Sequence, residues 1–234
     1  LHTKLILPKD GIVLMAKDPF WSDFIDNNPD LENELIPNGI ALLTPETGDE
    51  QKLQYKRQIG IPESSKYLVG TASMLRPERK NEIYIPICKK INEALGSDAH
   101  FVLCGDGTEF ERIKLLKEEN KLSGSFFMPG VVKYPSSAIV NFDIYVSVSV
   151  GETAGISMIE AAMCKVPVVA IQLVDDYETN EADWFWSHTD LDKVAEKIVY
   201  LLQHREERLM LAAKQYDYVT GHFSSDAMYK AYHS

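Results

Sequence analysis

From Lys66 to Ile171 the chain alternates between two hydrophobic periods. Short β-branched or aromatic runs end in turns containing Gly or Ser, and segments of helical spacing follow. Strands are expected at 67–72 (YLVGTA), 100–107 (HFVLCGDG, strand then turn), 125–130 (SFFMPG), 141–149 (NFDIYVSVS) and 166–171 (VPVVAI). The last is apolar on both faces, as a central parallel strand is. Helices are expected at 81–96, where Tyr84, Ile87, Cys88, Ile91 and Leu95 share a face, at 109–122, edged by Phe110, Ile113 and Leu116 or Lys117, and at 155–164. Pro86 is compatible with the first of these only near its first turn.

The last stretch reads as helices. In 190–205 one stripe carries Leu191, Val194, Ile198, Leu201 and Leu202, with Asp190 as N-cap. A helix over 206–223 follows, then a short one capped by Ser224 or Ser225. Near the start, 11–17 and 33–40 read as strands, the second running into a Pro-Asn-Gly turn, and 21–28 as a short helix. Residues 42–50 read as a linker before a short helix at 49–58.

Strands alternating with helices imply an α/β fold, a Rossmann-like doubly wound parallel sheet covered on both faces. Right-handed crossovers put the C-terminal ends of its strands on one edge, where ligands bind. The loops expected there are 71–80, 104–108, 129–135, 149–155 and 172–183.

Composition narrows the partners. The 234 residues are 45% hydrophobic, enough for a real core, and the net charge is −11. That charge argues against nucleic acid or an anionic membrane as a partner, since both need a basic footprint. An anionic small ligand would need positive charge gathered locally. Cys88, Cys104 and Cys164 are odd in number, form no CxxC pair and have apolar neighbours. Buried thiols in a reducing compartment are the expectation. There is no signal-peptide pattern and no apolar run of the roughly 18 residues a membrane span needs. A cytoplasmic protein is expected, with a peripheral contact at the inner face of a membrane left open. The six histidines are scattered without ligand spacing, so no metal is expected.

Candidate chemistry concentrates in SVGETAGISMIEAAMCKVPVVAI, residues 149–171. With a helix starting near Gly155, Glu152 lies just before its N-terminus and Glu160 about 12 Å further along the axis. Between them the free N–H groups of 153–157 and the positive helix end make an anion site. Glycines 151 and 155 let a ligand approach the backbone. Carboxylate, amides, carboxylate is an order that suits a diphosphate flanked by hydroxyl-bearing rings. The plainer alternative has Glu152 complementing the helix dipole and Glu160 in solvent. Against it, Glu160 is flanked by Ile156, Ile159, Ala161 and Met163.

The segment GETAGISMIEAAMCKVPVV resembles the glutamate–seven residues–glutamate motif of the retaining group 1 glycosyltransferases of the GT-B fold, sequence family 4. Four further pieces stand in that family's order: IPNGI (36–40), VGTASMLRPERKN (69–81), FVLCGDG (101–107) and FFMPGV (126–131). The resemblance spans about 33–203. It implies that Glu152 contacts donor-sugar hydroxyls and that Glu160 binds the nucleotide ribose. It also implies that Thr153, Ala154, Gly155 and Ile156 hold the diphosphate through their amides. Lys80 or its neighbour Arg79 would neutralise the leaving phosphates, and Val131 and Val132 would hold the base through the backbone.

The implied activity is retaining hexosyl transfer from a UDP-, GDP- or ADP-sugar to a carbohydrate, lipid-linked or other hydroxyl acceptor, as in polysaccharide biosynthesis. No cofactor or metal is implied. A front-face mechanism is suggested, in which the leaving phosphate helps to deprotonate the acceptor. The expected organisation is an N-terminal-domain tail and linker at 1–36, a nucleotide-sugar-binding domain at 37–222, and a helix at 223–234 that returns to the acceptor domain. Without that N-terminal partner domain the chain is expected to be inactive.

Three departures support an alternative, a non-catalytic nucleotide-binding or interaction module of the same fold. The family's arginine falls on Met74, its phenylalanine on Ala154, and its Gly-Gly loop is replaced by QLVDDYETNEADWFW, expected to be a packed surface loop. In addition, a helix-ending glycine falls on Lys165, unfavourable if that position is left-handed.

Overall fold

The computed structural model describes residues 12–14, 26–27, 29, 33–35, 39–41, 48–149, 155–173 and 184–233. Strands β1 (Ile12–Leu14) and β2 (Asn33–Leu35) pair in parallel in a sheet of their own. Helix α1 (Asp49–Ile59) leads into the main unit. There follow β3 (Tyr67–Ala72), α2 (Tyr84–Leu95), β4 (Ala99–Cys104), α3 (Phe110–Glu119), β5 (Phe126–Gly130), α4 (Pro135–Ile139), β6 (Ile144–Ser149), α5 (Ile156–Met163), β7 (Val168–Gln172), β8 (Trp186–His188), α6 (Leu191–Gln203), α7 (Arg205–His222) and α8 (Ser225–Tyr232).

The main sheet is parallel throughout, in the order β5-β4-β3-β6-β7-β8. Every residue of β4 and of β7 is buried, which explains the apolar runs 101–104 and 168–171. One core face packs β-strand side chains against Ile87 and Ile91 of α2, Ile113 of α3, and Val194, Ile198 and Leu202 of α6. The opposite face packs Tyr55 of α1, Ile139 of α4, Met158 and Ala162 of α5, and Val219 of α7. The expected doubly wound Rossmann-like sheet is therefore present. The chain runs from β3 out to β5, then returns to β6 on the other side of β3. The winding reverses between β3 and β6, where ligand crevices open in such sheets.

Local chemistry accounts for the boundaries. Pro86 is the third residue of α2, inside the first turn, where its missing N–H has no intrahelical acceptor to lose. A short 3-10 turn, Asn81–Ile83, precedes that helix. Asp190 caps α6 by accepting from the Asp192 N–H, and Ser224, not Ser225, caps α8 by accepting from the Ala227 N–H. Lys165 is left-handed, with φ 57°, and its ammonium lies 4.7 Å from the Tyr216 ring centroid.

Two elements depart from the expectations. Helix α4 is signalled only by Pro135 at its first position. The stretch QLVDDYETNEADWFW is not simply a surface loop. Trp184 is buried against Tyr218 and Phe223, and Trp186 opens β8, which pairs with β7 through Val169↔Trp186. Residues 174–183 lie outside the described residues.

Gly39 and Ile40 meet the turn between α7 and α8. Ile40 donates its N–H to the Phe223 carbonyl (2.9 Å) and accepts from the Ser225 N–H (2.9 Å). A Cβ on Gly39 would stand 2.6 Å from the Ser224 carbonyl oxygen, so glycine is what lets the segment lie against α8. Residues 36–38 of the IPNGI segment and most of 1–32 lie outside the described residues.

Candidate functional site

The loops after β3, β4 and β5 and the start of α5 meet at the C-terminal edge of the sheet. They enclose a cleft of about 530 Å³. Ser73, Met74 and Arg79 line it from the loop after β3, Cys104, Gly105 and Asp106 from the end of β4 and its loop, and Val131, Val132 and Pro135 from the segment after β5. Gly155, Ile156, Ser157 and Glu160 line it from the α5 segment.

Two glycines weld the second loop to the first. Gly105 has φ +139°, and a Cβ there would meet the Ser73 carbonyl oxygen at 1.8 Å. Gly107 has φ +153°, and a Cβ there would meet the Leu75 carbonyl oxygen at 2.3 Å. That close approach allows a ladder of backbone bonds: Ser73 N–H to Cys104 O (3.0 Å), Leu75 N–H to Asp106 O (3.0 Å) and Glu109 N–H to Leu75 O (2.9 Å). The GDG turn is thus the brace of the loop that carries Arg79.

Of the ten residues picked from the sequence, six stand in the wall: Arg79, Val131, Val132, Gly155, Ile156 and Glu160. Lys80 is not among the lining residues; it occupies the left-handed position that ends the Pro77–Arg79 turn, with φ 50°. Of that basic pair, Arg79 is the one in the cleft wall, and it forms no ion pair among the described residues. Glu152, Thr153 and Ala154 lie outside the described residues. Ser157, whose N–H was read with those of 153–156 as part of the anion site, also lines the cleft. Asp106 and Pro135 line it without having been given a role from sequence; Pro135 had only the Pro-at-N1 cue.

Gly155 enters α5 in extended conformation and, as the N-cap residue, brings no side chain to cap the helix. The first N–H groups of a helix lack intrahelical acceptors, here those of Ile156 and Ser157. The positive end of the helix dipole adds to them. Glu160, on the same helix, is half-buried, and burial pushes its carboxyl above the ordinary value. No cation and no hydrogen-bond donor among the described residues compensates it. Its neighbour Cys164 is pushed up to about 12, chiefly by burial and further by Glu160. Cys104, beneath the cleft, is pushed up to about 11 by burial, so both thiols are neutral at physiological pH. All three cysteines are free and buried.

Among the described residues, no group of three His, Cys, Asp or Glu could hold a metal ion, and no helix is long and apolar enough to cross a membrane.

A parallel doubly wound sheet, a cleft at its winding reversal, a helix that starts at a glycine and a half-buried carboxylate on that helix define a Rossmann-like unit with a candidate site. Residues 51–217 match the family described as glycosyl transferases group 1, and the chain belongs to that family.

It is 24% identical over 195 residues to the poly(ribitol-phosphate) alpha-N-acetylglucosaminyltransferase of Staphylococcus aureus (strain COL), covering 74% of this chain and 38% of that protein. It is 22% identical over 182 residues to the N-acetyl-alpha-D-glucosaminyl L-malate synthase of Bacillus anthracis, covering 76% and 47%. The chain thus spans less than half the length of either relative. Among solved structures it is similar to Anabaena Alr3699/HepE in complex with UDP and glucose, with a TM-score of 0.78 at 14% identity over 95% of this chain and 62% of that one. It is also similar to the C-terminal domain of a group 1 family glycosyl transferase (LpcC) from Francisella tularensis, with a TM-score of 0.65 at 20% identity over 80% of this chain and all of that one. The fold is that of GT-B glycosyltransferase C-terminal domains.

Proposed function

We propose that this chain is the donor-binding half of a retaining glycosyltransferase of sequence family 4. In this reading it binds a nucleoside-diphosphate sugar in the 530 Å³ cleft. The observation that carries the reading is Glu160, a half-buried carboxylate with no cation partner among the described residues, set on the helix whose first residues line the same cleft as Arg79. An uncompensated acceptor beside an anion site suits a ligand that brings its own hydroxyl donors next to a phosphate, as the ribose of a nucleotide does.

Glu160 then accepts from the ribose, and the amides of Ile156 and Ser157, with those of 153–155, take the diphosphate. Val131 and Val132 border the base, and Glu152 meets the sugar. Arg79, with Lys80 next to it, offsets the charge that grows on the leaving diphosphate, the chief electrostatic demand of glycosyl transfer. No metal is invoked. The acceptor, a sugar or lipid-linked hydroxyl, and the groups that position it belong to an N-terminal partner domain. Transfer by this chain alone is not expected. A cytoplasmic setting fits a soluble nucleotide-sugar donor.

UDP is the first nucleotide to test, because it is the one named in several solved neighbours of this fold. Calorimetry should detect UDP binding, and Glu160→Ala should weaken it severalfold. No heat with UDP, GDP or ADP at millimolar concentration would remove the donor-site reading. The non-catalytic module keeps one observation in its favour: Met74, half exposed in the cleft wall, leaves Arg79 as the lone cation among the described lining residues. Turnover by the full-length protein that survives Glu152→Ala unchanged would take Glu152 out of the chemistry.

A further inference from the structure

The sheet forks beneath the cleft. Strands β3 and β4 stay in register to Ala72↔Cys104, and β6 and β7 to Ser149↔Gln172. Between β3 and β6 the pairing covers only Val69↔Ile144 and Gly70↔Tyr145. Beyond that point the two central strands separate, and the N–H and C=O of Ala72 have no backbone partner on β6. Both are bonded to one side chain. The Tyr145 hydroxyl accepts from the Ala72 N–H (3.2 Å) and donates to the Ala72 carbonyl (3.0 Å). Tyr145 is 1% exposed, so water does not substitute.

Burial makes the phenol costly to ionise, and the hydroxyls of Thr71 and Ser157 are near enough to offset part of that cost. Thr71 Oγ1 lies 3.1 Å from the Tyr84 hydroxyl, which also reaches the Val146 carbonyl at 3.5 Å. The Tyr145 hydroxyl thus ties β6 to Ala72 of β3, and the Thr71 hydroxyl ties β3 to Tyr84 of α2.

We propose that Tyr145 is a positioning residue: its hydroxyl, tied to Ala72 and backed by Thr71 and Ser157, sets the opening of the β3–β6 fork. That opening fixes the span between the Ser73–Arg79 wall and the Gly155–Glu160 wall. A ligand held from both walls needs that span set before it arrives, since any closure it must enforce is subtracted from its affinity. Neither Tyr145 nor Thr71 lines the cleft, so both act through the residues above them. The proposal rests on the nucleotide-binding reading for its choice of ligand.

The test compares Tyr145→Phe, Thr71→Val and Thr71→Ser with Ile198→Val, a core substitution on α6 away from the cleft. Each is examined by thermal melting, UDP calorimetry and amide exchange over 73–75 and 155–158. Tyr145→Phe and Thr71→Val should raise the Kd for UDP about fivefold, the equivalent of one lost hydrogen bond. Both should speed exchange in both segments without ligand, and Thr71→Ser should restore the parent values. Ile198→Val should lower the melting temperature with Kd and exchange unchanged. Tyr145→Phe that behaves like Ile198→Val, destabilised but with both walls and Kd intact, overturns the proposal. A parent chain that binds no UDP removes the nucleotide reading instead; the exchange data then still decide whether the phenol holds the fork.

Discussion

Gly105→Ala should damage this protein more than its one added methyl group suggests. A Cβ on Gly105 would sit 1.8 Å from the Ser73 carbonyl oxygen, and real Cβ atoms stay beyond 3.0 Å. The Ser73 loop or the GDG turn must therefore retreat by about 1.2 Å. The obstacle is backbone, so no side chain can swing aside. That movement stretches the bond from Ser73 N–H to Cys104 O and the bond from Gly105 N–H to Gly130 O, 3.0 and 2.8 Å in the intact protein. Two weakened hydrogen bonds cost about 1–3 kcal/mol, and alanine at φ +139° adds about 1–2 kcal/mol of strain. The expected loss is about 3–4 kcal/mol, read in urea as a lower midpoint at unchanged slope. Gly124→Ala is the control: a Cβ there meets nothing within 4 Å, and its stability should be unchanged or slightly raised. A loss under about 1 kcal/mol for Gly105→Ala would show that the GDG turn does not brace the Arg79 loop.

Three further outcomes follow from the same geometry. Burial raises the Glu160 carboxyl above 4.5, so in the carboxylate range the folded state holds more protons than the unfolded one. Stability is then lost as pH rises through that range, and Glu160→Gln should gain on the parent as pH rises above about 5 and match it at pH 3; parallel urea midpoints across that range would refute the assignment. Met74→Arg sets a second cation in the wall beside Arg79 and should tighten UDP about fivefold, less at high salt; an unchanged Kd would place the diphosphate elsewhere. Lys165→Gly relieves a left-handed lysine at φ 57° and should stabilise by about 1 kcal/mol despite loss of the Tyr216 contact, seen as a higher melting temperature.

Local patterning carried a long way. The alternation of periods is enough to place β3, β4, β6, α2, α5 and α6, because each buries an apolar face whose spacing is written in the chain. It also marked Asp190 as a cap and Pro86 as a first-turn residue. Helix α4 and strand β8 escaped it. Five and three residues are too few for a period, and β8 exists because β7 offers it an edge. Lys80 and Arg79 were indistinguishable in sequence, since both are cations in one turn. A single backbone feature separates them: the turn needs a left-handed residue at 80, and Arg79 is the one left in the cleft wall.

The sequence by itself determined the alternating α/β order, the helix start at Gly155 and the carboxylate at Glu160, all properties of a few neighbouring residues. Only the tertiary structure decided that the cleft lies over a fork between β3 and β6, that the GDG turn braces the Arg79 loop, and that Tyr145 fills the gap in the ladder. These depend on contacts across tens of residues, between Gly105 and Ser73 or Tyr145 and Ala72. What selects them is the space and the unpaired backbone groups that remain once the sheet has formed, and no periodicity records that.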